Sequence, residues 1–327
     1  RAKGRGHRAK VEQPGPESRV EPLPFALYPL PFCLFTFLPF YLFTFLPLLT
    51  FIKIFPPSLR LLLNRIYFHL FFSKLKTRIP MNYKDWHRHF QNNIHHFDHI
   101  DWTSSDHLTS AEKETILTSI QQFQKGENSE GKNLIRFARE SNLPDYLDTL
   151  IVFIREEQRH AFVLGEFMKL HDIPKIKVHW VDNFFRKIRT FAGLENSVLI
   201  LITAEIIAAV YYKALLKATN SGILRSLCTQ ILKDEEMHIN FQSFTLNHFY
   251  QKRNLAGKQI IRYLHRELMF GTIIVVWYYH SQVLRRGGFG FRSFFKAVMV
   301  EFTRSEQMIT AKKEQDLQLK FSDFIKS

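Results

Sequence analysis

The chain has 327 residues, of which 46% are hydrophobic and 15% aromatic, enough for a large core in one or two domains. The formal net charge is +15, but residues 1–80 supply +9 of it, so the other 247 residues do not indicate a nucleic-acid-binding protein. Two cysteines, Cys33 and Cys228, exclude a disulfide framework, a cysteine-ligated zinc site and a rubredoxin-type iron site, and they favour a reducing compartment.

Residues 1–80 differ from the rest because they hold 11 of the 13 prolines. Phe25–Phe55 is almost wholly apolar, but its prolines remove backbone donors that a membrane-spanning helix needs. The word LFTFLP occurs twice at a period of eight, and Met81 is the first methionine. We interpret residues 1–80 as a gene-model artefact, with a hydrophobic anchor as the alternative. A cytoplasmic protein is expected, membrane-associated only if residues 25–55 are genuine.

Residues 81–107 form a segment rich in histidine. The irregular spacing of its histidines favours a flexible, solvated segment, with metal binding as the alternative. The histidines concerned are His87, His89, His95, His96 and His99.

From Thr109 onward the apolar residues recur every three or four positions, a pattern that predicts helices and no strands. Thr109 and Glu112 form a capping-box pattern, which predicts a continuous helix A from about Ser110 to Glu140. Two glycines, Gly126 and Gly131, leave a break in helix A as the alternative.

The break Ser141–Pro144 separates helix A from helix B. A longer connection, with a short helix near Val181–Ile188, leads to helix C around Val198–Leu216. Asn220-Ser221-Gly222 ends helix C before helix D. Short, long and short connections predict two antiparallel hairpins joined by a crossover, the arrangement of ferritin-like bundles.

The expected fold is therefore all-α. A ferritin-like four-helix bundle is placed at 108–251, and further helices at 252–327 form a C-terminal extension that packs on the bundle.

Only two places in the chain read Glu-x-x-His: Glu157 with His160 in helix B, and Glu235 with His238 in helix D. Residues i and i+3 share a helix face, so each motif can offer a carboxylate oxygen and an imidazole nitrogen to one metal. Helix C adds Glu205, which lies in an apolar run where an unpartnered charge is costly to bury.

Helix A offers Glu127 or Glu130 as the fourth glutamate. The distance from Glu127 to Glu157 is 30 residues, equal to the distance between the glutamates of helices C and D, so Glu127 is the better ligand. Carboxylate and imidazole donors without thiolates suit iron or manganese better than copper or zinc. The sequence therefore predicts two metal ions, both iron or one iron and one manganese, on Glu127, Glu157, His160, Glu205, Glu235 and His238.

Other polar side chains are expected beside the metals. Glu156 and Asp234 each precede a ligand glutamate, and each is placed to accept the remaining ring N–H of a histidine from the opposite hairpin, which would fix its tautomer. Tyr211 and Tyr212, two turns beyond the helix C glutamate, either approach the metals or fill the core. Glu130 is the remaining candidate for a polar side chain beside the metal ligands.

The stretch FQKGENSEGKN at residues 123–133, followed by Phe137-Ala138, resembles the first helix of rubrerythrins. In that family a Gly-Glu-Ser stretch carries the metal glutamate, so the resemblance also selects Glu127. It covers about Leu108–Tyr250, and the chain is similar as well to bacterial ferritin-like domain proteins of undefined activity. Two departures disfavour a rubrerythrin-type peroxidase: the cysteine count excludes the iron-thiolate module, and Ala208 stands where that family carries a further glutamate.

The resemblance implies a di-iron oxidoreductase of oxidase, peroxidase or hydroxylase type. Its expected partners are dioxygen or peroxide and a reductant, with no nucleic acid, and a homodimer is expected; membrane association is not favoured. The alternative is a non-catalytic iron-binding or storage protein, which we rank lower because the C-terminal extension should interfere with the shell packing of storage ferritins.

Overall fold

The chain is described by a computed structural model, which covers residues 82–103, 106–128, 131–141, 143–176 and 193–312. Within these ranges every regular element is a helix, so the all-α prediction is confirmed there. The predictions for residues 1–80, the short helix near Val181–Ile188 and Glu130 lie outside the described residues. The helices are α1 Tyr83–Asn92, α2 Ser110–Glu127, α3 Lys132–Glu140, α4 Pro144–Leu170, α5 Gly193–Ala218, α6 Gly222–Lys252, α7 Leu255–Arg286 and α8 Phe291–Ile309.

Four long helices carry the predicted metal ligands. Helix α2 packs against α4, α5 against α6, and α4 against α6. Only three residues separate α5 from α6, so these two helices are antiparallel neighbours. Helix α5 is long and apolar enough to cross a membrane, but 83% of its most apolar window is buried inside the fold. A mostly buried helix of this kind is weak evidence for a membrane span, because core helices of soluble proteins are equally long and apolar.

Helix α2 begins at the predicted capping box, which the structure confirms. The Thr109 hydroxyl accepts the backbone N–H of Glu112 at 3.2 Å, and the Glu112 carboxylate accepts the backbone N–H of Thr109 at 3.2 Å. The other oxygen of Glu112 accepts the backbone N–H of Asn220 at 2.6 Å. The start of α2 is therefore tied to the turn between α5 and α6.

The prediction of one continuous helix A is wrong, because α2 ends at Glu127 and α3 begins at Lys132. Gly131 adopts φ +61°, the left-handed conformation that glycine tolerates best, and it precedes the first residue of α3. The segment from Gly126 to Gly131 is also poor in residues with high helix propensity. The buried positions nevertheless continue across the break into α3, at Leu134 and Ala138.

The prediction that the histidine-rich segment is flexible and solvated is wrong for residues 82–103. Helix α1 packs against α4, and Trp86 and Phe90 on its inner face are almost completely buried. Phe97 and Ile100 continue the buried contacts beyond the helix. This segment is an amphipathic helix, and its buried face is formed by aromatic residues one turn apart. The spacing of the histidines alone did not indicate that face.

The C-terminal helices cover the long helices from outside. Helix α7 packs against α2 and α5, and α8 packs against α5 and α6. At Gly287, where α7 ends, an added Cβ would lie 2.3 Å from the backbone oxygen of Ala214 in α5. Only glycine permits this close approach without moving a helix.

We expect Gly287→Ala to lower the free energy of unfolding by about 1–3 kcal/mol, because backbone atoms of α5 cannot move aside as a side chain could. Gly271→Ala in the same helix is the matched control. An added Cβ there meets no atom within 4 Å, so the substitution should stabilise the protein by roughly 0.5–1 kcal/mol. Urea unfolding of both variants makes the comparison, and equal effects would contradict the close contact between α5 and α7.

Candidate metal centre

The glutamates and histidines of the two Glu-x-x-His motifs converge inside the fold. Glu157, His160, Glu235 and His238 each have a metal-ligating atom within 4.8 Å of the others, and all four are buried. Glu205 joins them from α5, with Oε2 3.6 Å from His238 Nδ1. The predicted ligands of α4, α5 and α6 are therefore brought together.

Glu127 reaches the same cluster from the last residue of α2, and its carboxyl group interacts electrostatically with that of Glu157. One of its oxygens accepts the Tyr212 hydroxyl at 2.7 Å. Tyr212 is fully buried, and its burial together with the Glu127 charge raises the pKa of the phenol far above the ordinary value. Tyr212 therefore acts as a neutral donor that orients the Glu127 carboxylate.

Both histidines present Nδ1 to the carboxylates. His160 Nδ1 lies 3.9 Å from Glu157 and 3.8 Å from Glu235. His238 Nδ1 lies 2.7 Å from Glu157 Oε1, although the approach lacks hydrogen-bond geometry. The lone pair of each Nδ1 can thus point towards the centre of the cluster when the ring carries its proton on Nε2.

The opposite ring nitrogens are held from the outer side, each by a carboxylate of the other Glu-x-x-His helix. His160 Nε2 lies 3.1 Å from Asp234 on α6, and His238 Nε2 lies 2.9 Å from Glu156 on α4. This is the cross-pairing expected from the positions of the two carboxylates in the sequence. A carboxylate acceptor on Nε2 keeps the proton there, which leaves Nδ1 free to bind a metal.

Six buried polar atoms of this cluster have no hydrogen-bond partner, and they provide the test of whether the cluster fits metal ions. Burial of an unpartnered polar atom is unfavourable, and a cation bound among these atoms would satisfy them together. The donor set of carboxylate oxygens and imidazole nitrogens is also chemically suited to iron or manganese. The atoms concerned are Glu157 Oε1, His160 Nδ1, Glu205 Oε1, Glu235 Oε1, Glu235 Oε2 and His238 Nδ1.

The carboxylates of the cluster oppose one another electrostatically. Burial raises the pKa of Glu127, Glu205 and Glu235, and a neighbouring carboxylate raises each of them further. Burial also acts to raise the pKa of Glu157, but the adjacent His238 overcomes it, so this pKa lies below the ordinary value. Without cations, the cluster must therefore retain protons on several of its carboxyl groups.

Burial acts to lower the pKa of His160, but hydrogen bonding to Asp234 and the nearby glutamates raise it to about 9. The pKa of His238 is raised in the same way by Glu157 and Glu156. In return, His160 and His96 hold the pKa of Asp234 well below its ordinary range, against the effect of its burial. A metal that binds on Nδ1 would replace the protons that these imidazoles otherwise hold.

Tyr211 points away from the carboxylates. Its hydroxyl lies 2.9 Å from Ser119 Oγ, which also lies 2.8 Å from His280 Nδ1 on α7, and its ring stacks on Phe123. Of the two tyrosines, Tyr212 therefore contacts a predicted ligand, whereas Tyr211 fills the core with its hydroxyl satisfied.

Sequence reasoning missed two polar residues of the site and considered a third, His96, only as part of the histidine-rich segment. Asn93, which follows α1, donates to both Glu156 and Asp234, and Gln230 donates to Asp234 at 2.9 Å. The His96 ring lies 3.1 Å from Asp234 with only 4% of its side chain exposed. The hydrophobic pattern around Trp86 and Phe90 was the available signal that this segment packs on the bundle.

The metal-free protein should lose stability as pH rises from about 6.5 to about 9. The pKa of His160 is higher in the folded state than in the unfolded chain, so its contribution is full below about 6.5 and lost through about 9. The raised glutamate pKa values act in the same direction. Urea unfolding of chelator-treated protein across this range measures the effect.

The control for this pH dependence compares two histidines. His160→Gln keeps a donor for Asp234 but cannot titrate, so it should flatten the fall in stability. His95→Gln changes an exposed histidine and should leave the profile unchanged. A rise in the stability of the metal-free wild type between pH 6.5 and 9 would contradict the electrostatics described above.

Compared with known proteins, the chain matches no family model, and no curated protein is significantly similar to it. What is established, within the described ranges, is an all-helical fold with a buried cluster of glutamate and histidine that can hold a metal ion.

Proposed function

We propose that this protein is a ferritin-like, di-metal carboxylate oxidoreductase that binds two irons, or iron and manganese, and reacts with dioxygen or peroxide. The observation that carries the proposal is the convergence of six partnerless buried atoms on one point, with both histidines oriented from behind by carboxylates. Such an arrangement is costly for a purely structural core and is favourable around cations.

The distribution of ligands among the helices supports the ferritin-like assignment. Two helices, α2 and α5, each contribute a single glutamate, and α4 and α6 each contribute a Glu-x-x-His pair. Di-iron carboxylate bundles are built in this way, with two Glu-x-x-His helices and two helices that add one glutamate each.

Charge balance supports two divalent ions. The four glutamates of the cluster carry four negative charges when ionised, and two divalent cations neutralise them inside the fold. A single ion would leave two charges uncompensated in a region where repulsion already raises three glutamate pKa values. Charge balance therefore favours two ions over one.

The buried surroundings of the cluster favour a small oxidant over a large substrate. His160, Glu235 and His238 have no exposed surface, and Phe153 packs its ring 4.8 Å from that of His238. When bound, two redox-active ions would supply electrons to dioxygen or peroxide. The chain itself excludes bulk water, fixes the histidine tautomers and positions the Glu127 carboxylate through Tyr212.

The test is the metal content of the full-length chain after anaerobic loading with ferrous iron. Wild type should retain about two ions per chain, the number of a di-iron bundle. The double variant Glu205→Gln, Glu235→Gln preserves side-chain volume but removes two ligand charges, so its iron content should fall to background. Glu114→Gln on the exposed face of α2 is the matched control and should bind iron as wild type does.

The same double variant separates metal binding from folding. Its metal-free form should be at least as stable as metal-free wild type at pH 8, because it no longer buries two carboxyl groups whose pKa values are raised. Loss of both iron and fold would leave the glutamates as structural groups and contradict the proposal. Consumption of dioxygen or peroxide by the loaded wild type would support an oxidoreductase, whereas uptake of many irons per chain would favour storage.

A further inference from the structure

Asn93 connects the two carboxylates that lie behind the histidines. Its side-chain amide donates to Glu156 Oε2 at 2.9 Å and to Asp234 Oδ1 at 3.0 Å. Glu156 lies on α4 and Asp234 on α6, so a single NH₂ group spans both Glu-x-x-His helices. Asn93 is 63 and 141 residues away from these partners in the chain.

The remaining oxygen of each carboxylate contacts a histidine. Glu156 Oε1 lies 2.9 Å from His238 Nε2, and Asp234 Oδ2 lies 3.1 Å from His160 Nε2. Hydrogen bonds therefore run without interruption from His238 through Glu156, Asn93 and Asp234 to His160. If the central amide were removed, Glu156 Oε2 would lose its donor and Asp234 Oδ1 would keep only Gln230. Each carboxylate would then be freer to rotate, and its histidine could change tautomer.

We infer that Asn93 is a positioning residue for both metal-facing histidines and that His96 is a second one, acting on the His160 side alone. His96 Nδ1 lies 3.1 Å from Asp234 Oδ2, the oxygen that also contacts His160, although this approach lacks hydrogen-bond geometry. The rings of His96 and His160 stack at 6.1 Å between centroids with an angle of 17°. His96 therefore helps to position His160 alone, whereas Asn93 helps to position both His160 and His238.

The segment that carries these residues is held firmly. The Asn93 backbone N–H bonds to the carbonyls of His89 and Phe90 at the end of α1. Phe90 is buried 6.0 Å from the ring of His238 and 5.7 Å from that of Phe153. Thr149 on α4 donates to the carbonyl of Tyr83 at the start of α1. Packing thus presets the amide before a metal binds.

An alternative role for the same residues is a separate metal site. His96, Glu156 and Asp234 have ligand atoms within 4.8 Å of one another. Their chemistry differs from that of the main cluster, however, because all four oxygens of Glu156 and Asp234 already have donors or ring nitrogens within 3.1 Å. No oxygen of these two carboxylates is among the partnerless atoms, and His96 Nδ1 is the one ligand atom of this group that is. A hydrogen-bonded network accounts for them without a cation.

The inference rests on the proposed function, and a cobalt(II) titration of the full-length chain tests it. Wild type should bind two ions. Asn93→Ala should weaken both binding steps about 10- to 100-fold, the usual effect of losing a partner of a metal ligand, whereas His96→Ala should weaken only one of the two steps. Asn92→Ala, an exposed neighbour on the same helix, is the control and should match wild type.

A spectroscopic readout separates positioning from a merely structural role. The visible absorption of bound cobalt(II) reports ligand geometry, so Asn93→Ala should change its band positions while metal-free Asn93→Ala and Asn92→Ala melt at similar temperatures. Two ions in wild type, with identical affinity and spectrum in Asn93→Ala, would overturn this inference and leave the proposed function intact. A third ion in wild type, lost in His96→Ala, would overturn it in favour of a metal site. No bound metal in wild type would overturn both.

Discussion

The interior of this protein contains more negative charge than its own groups can neutralise. Four glutamates from four helices meet around two imidazole nitrogens, and burial together with mutual repulsion raises the pKa of three of these carboxyl groups. An apolar core of the same volume would be easier to fold, because the desolvation penalty of buried, unpaired charges exceeds any stabilisation that they provide. The rest of the structure holds these groups where only cations, or several protons, can satisfy them.

The helices around the cluster all help to hold these glutamates and histidines in place. Helices α4 and α6 place a glutamate and a histidine on one face, and each supplies the carboxylate that orients the histidine of the other. The helix α1 segment joins the two carboxylates through Asn93. Helices α7 and α8 cover α5 and α6, which allows α5 to bury an almost continuous apolar surface on both sides of Glu205. The site is thus set by contacts between segments far apart in the chain.

Sequence reasoning succeeded where the interactions are local or repeated. The Glu-x-x-His spacing is read within one helical turn, and the Thr109–Glu112 capping box needs only four residues. The equal 30-residue spacings selected Glu127, whose carboxylate lies in the same cluster as Glu157, and its role as a metal ligand stays a prediction. The break before Gly131 was only the alternative in the sequence analysis, because the apolar stripe of helix A runs across it. A left-handed glycine depends on tertiary contacts, and Gly131 packs against Ile154. The spacing of apolar residues in the sequence does not indicate such a contact.

Asn93 and His96 could not be predicted in the same way, because their roles depend on contacts with α4 and α6 and no repeating pattern in the sequence marks them.

The most direct test of the account is anomalous scattering at the iron edge from a crystal of the iron-loaded protein. We predict two peaks about 3.5–4 Å apart, the spacing typical of two-metal sites, on the Nδ1 side of His160 and His238. An empty cluster, or a peak only on the Nε2 side among His96, Glu156 and Asp234, would contradict it.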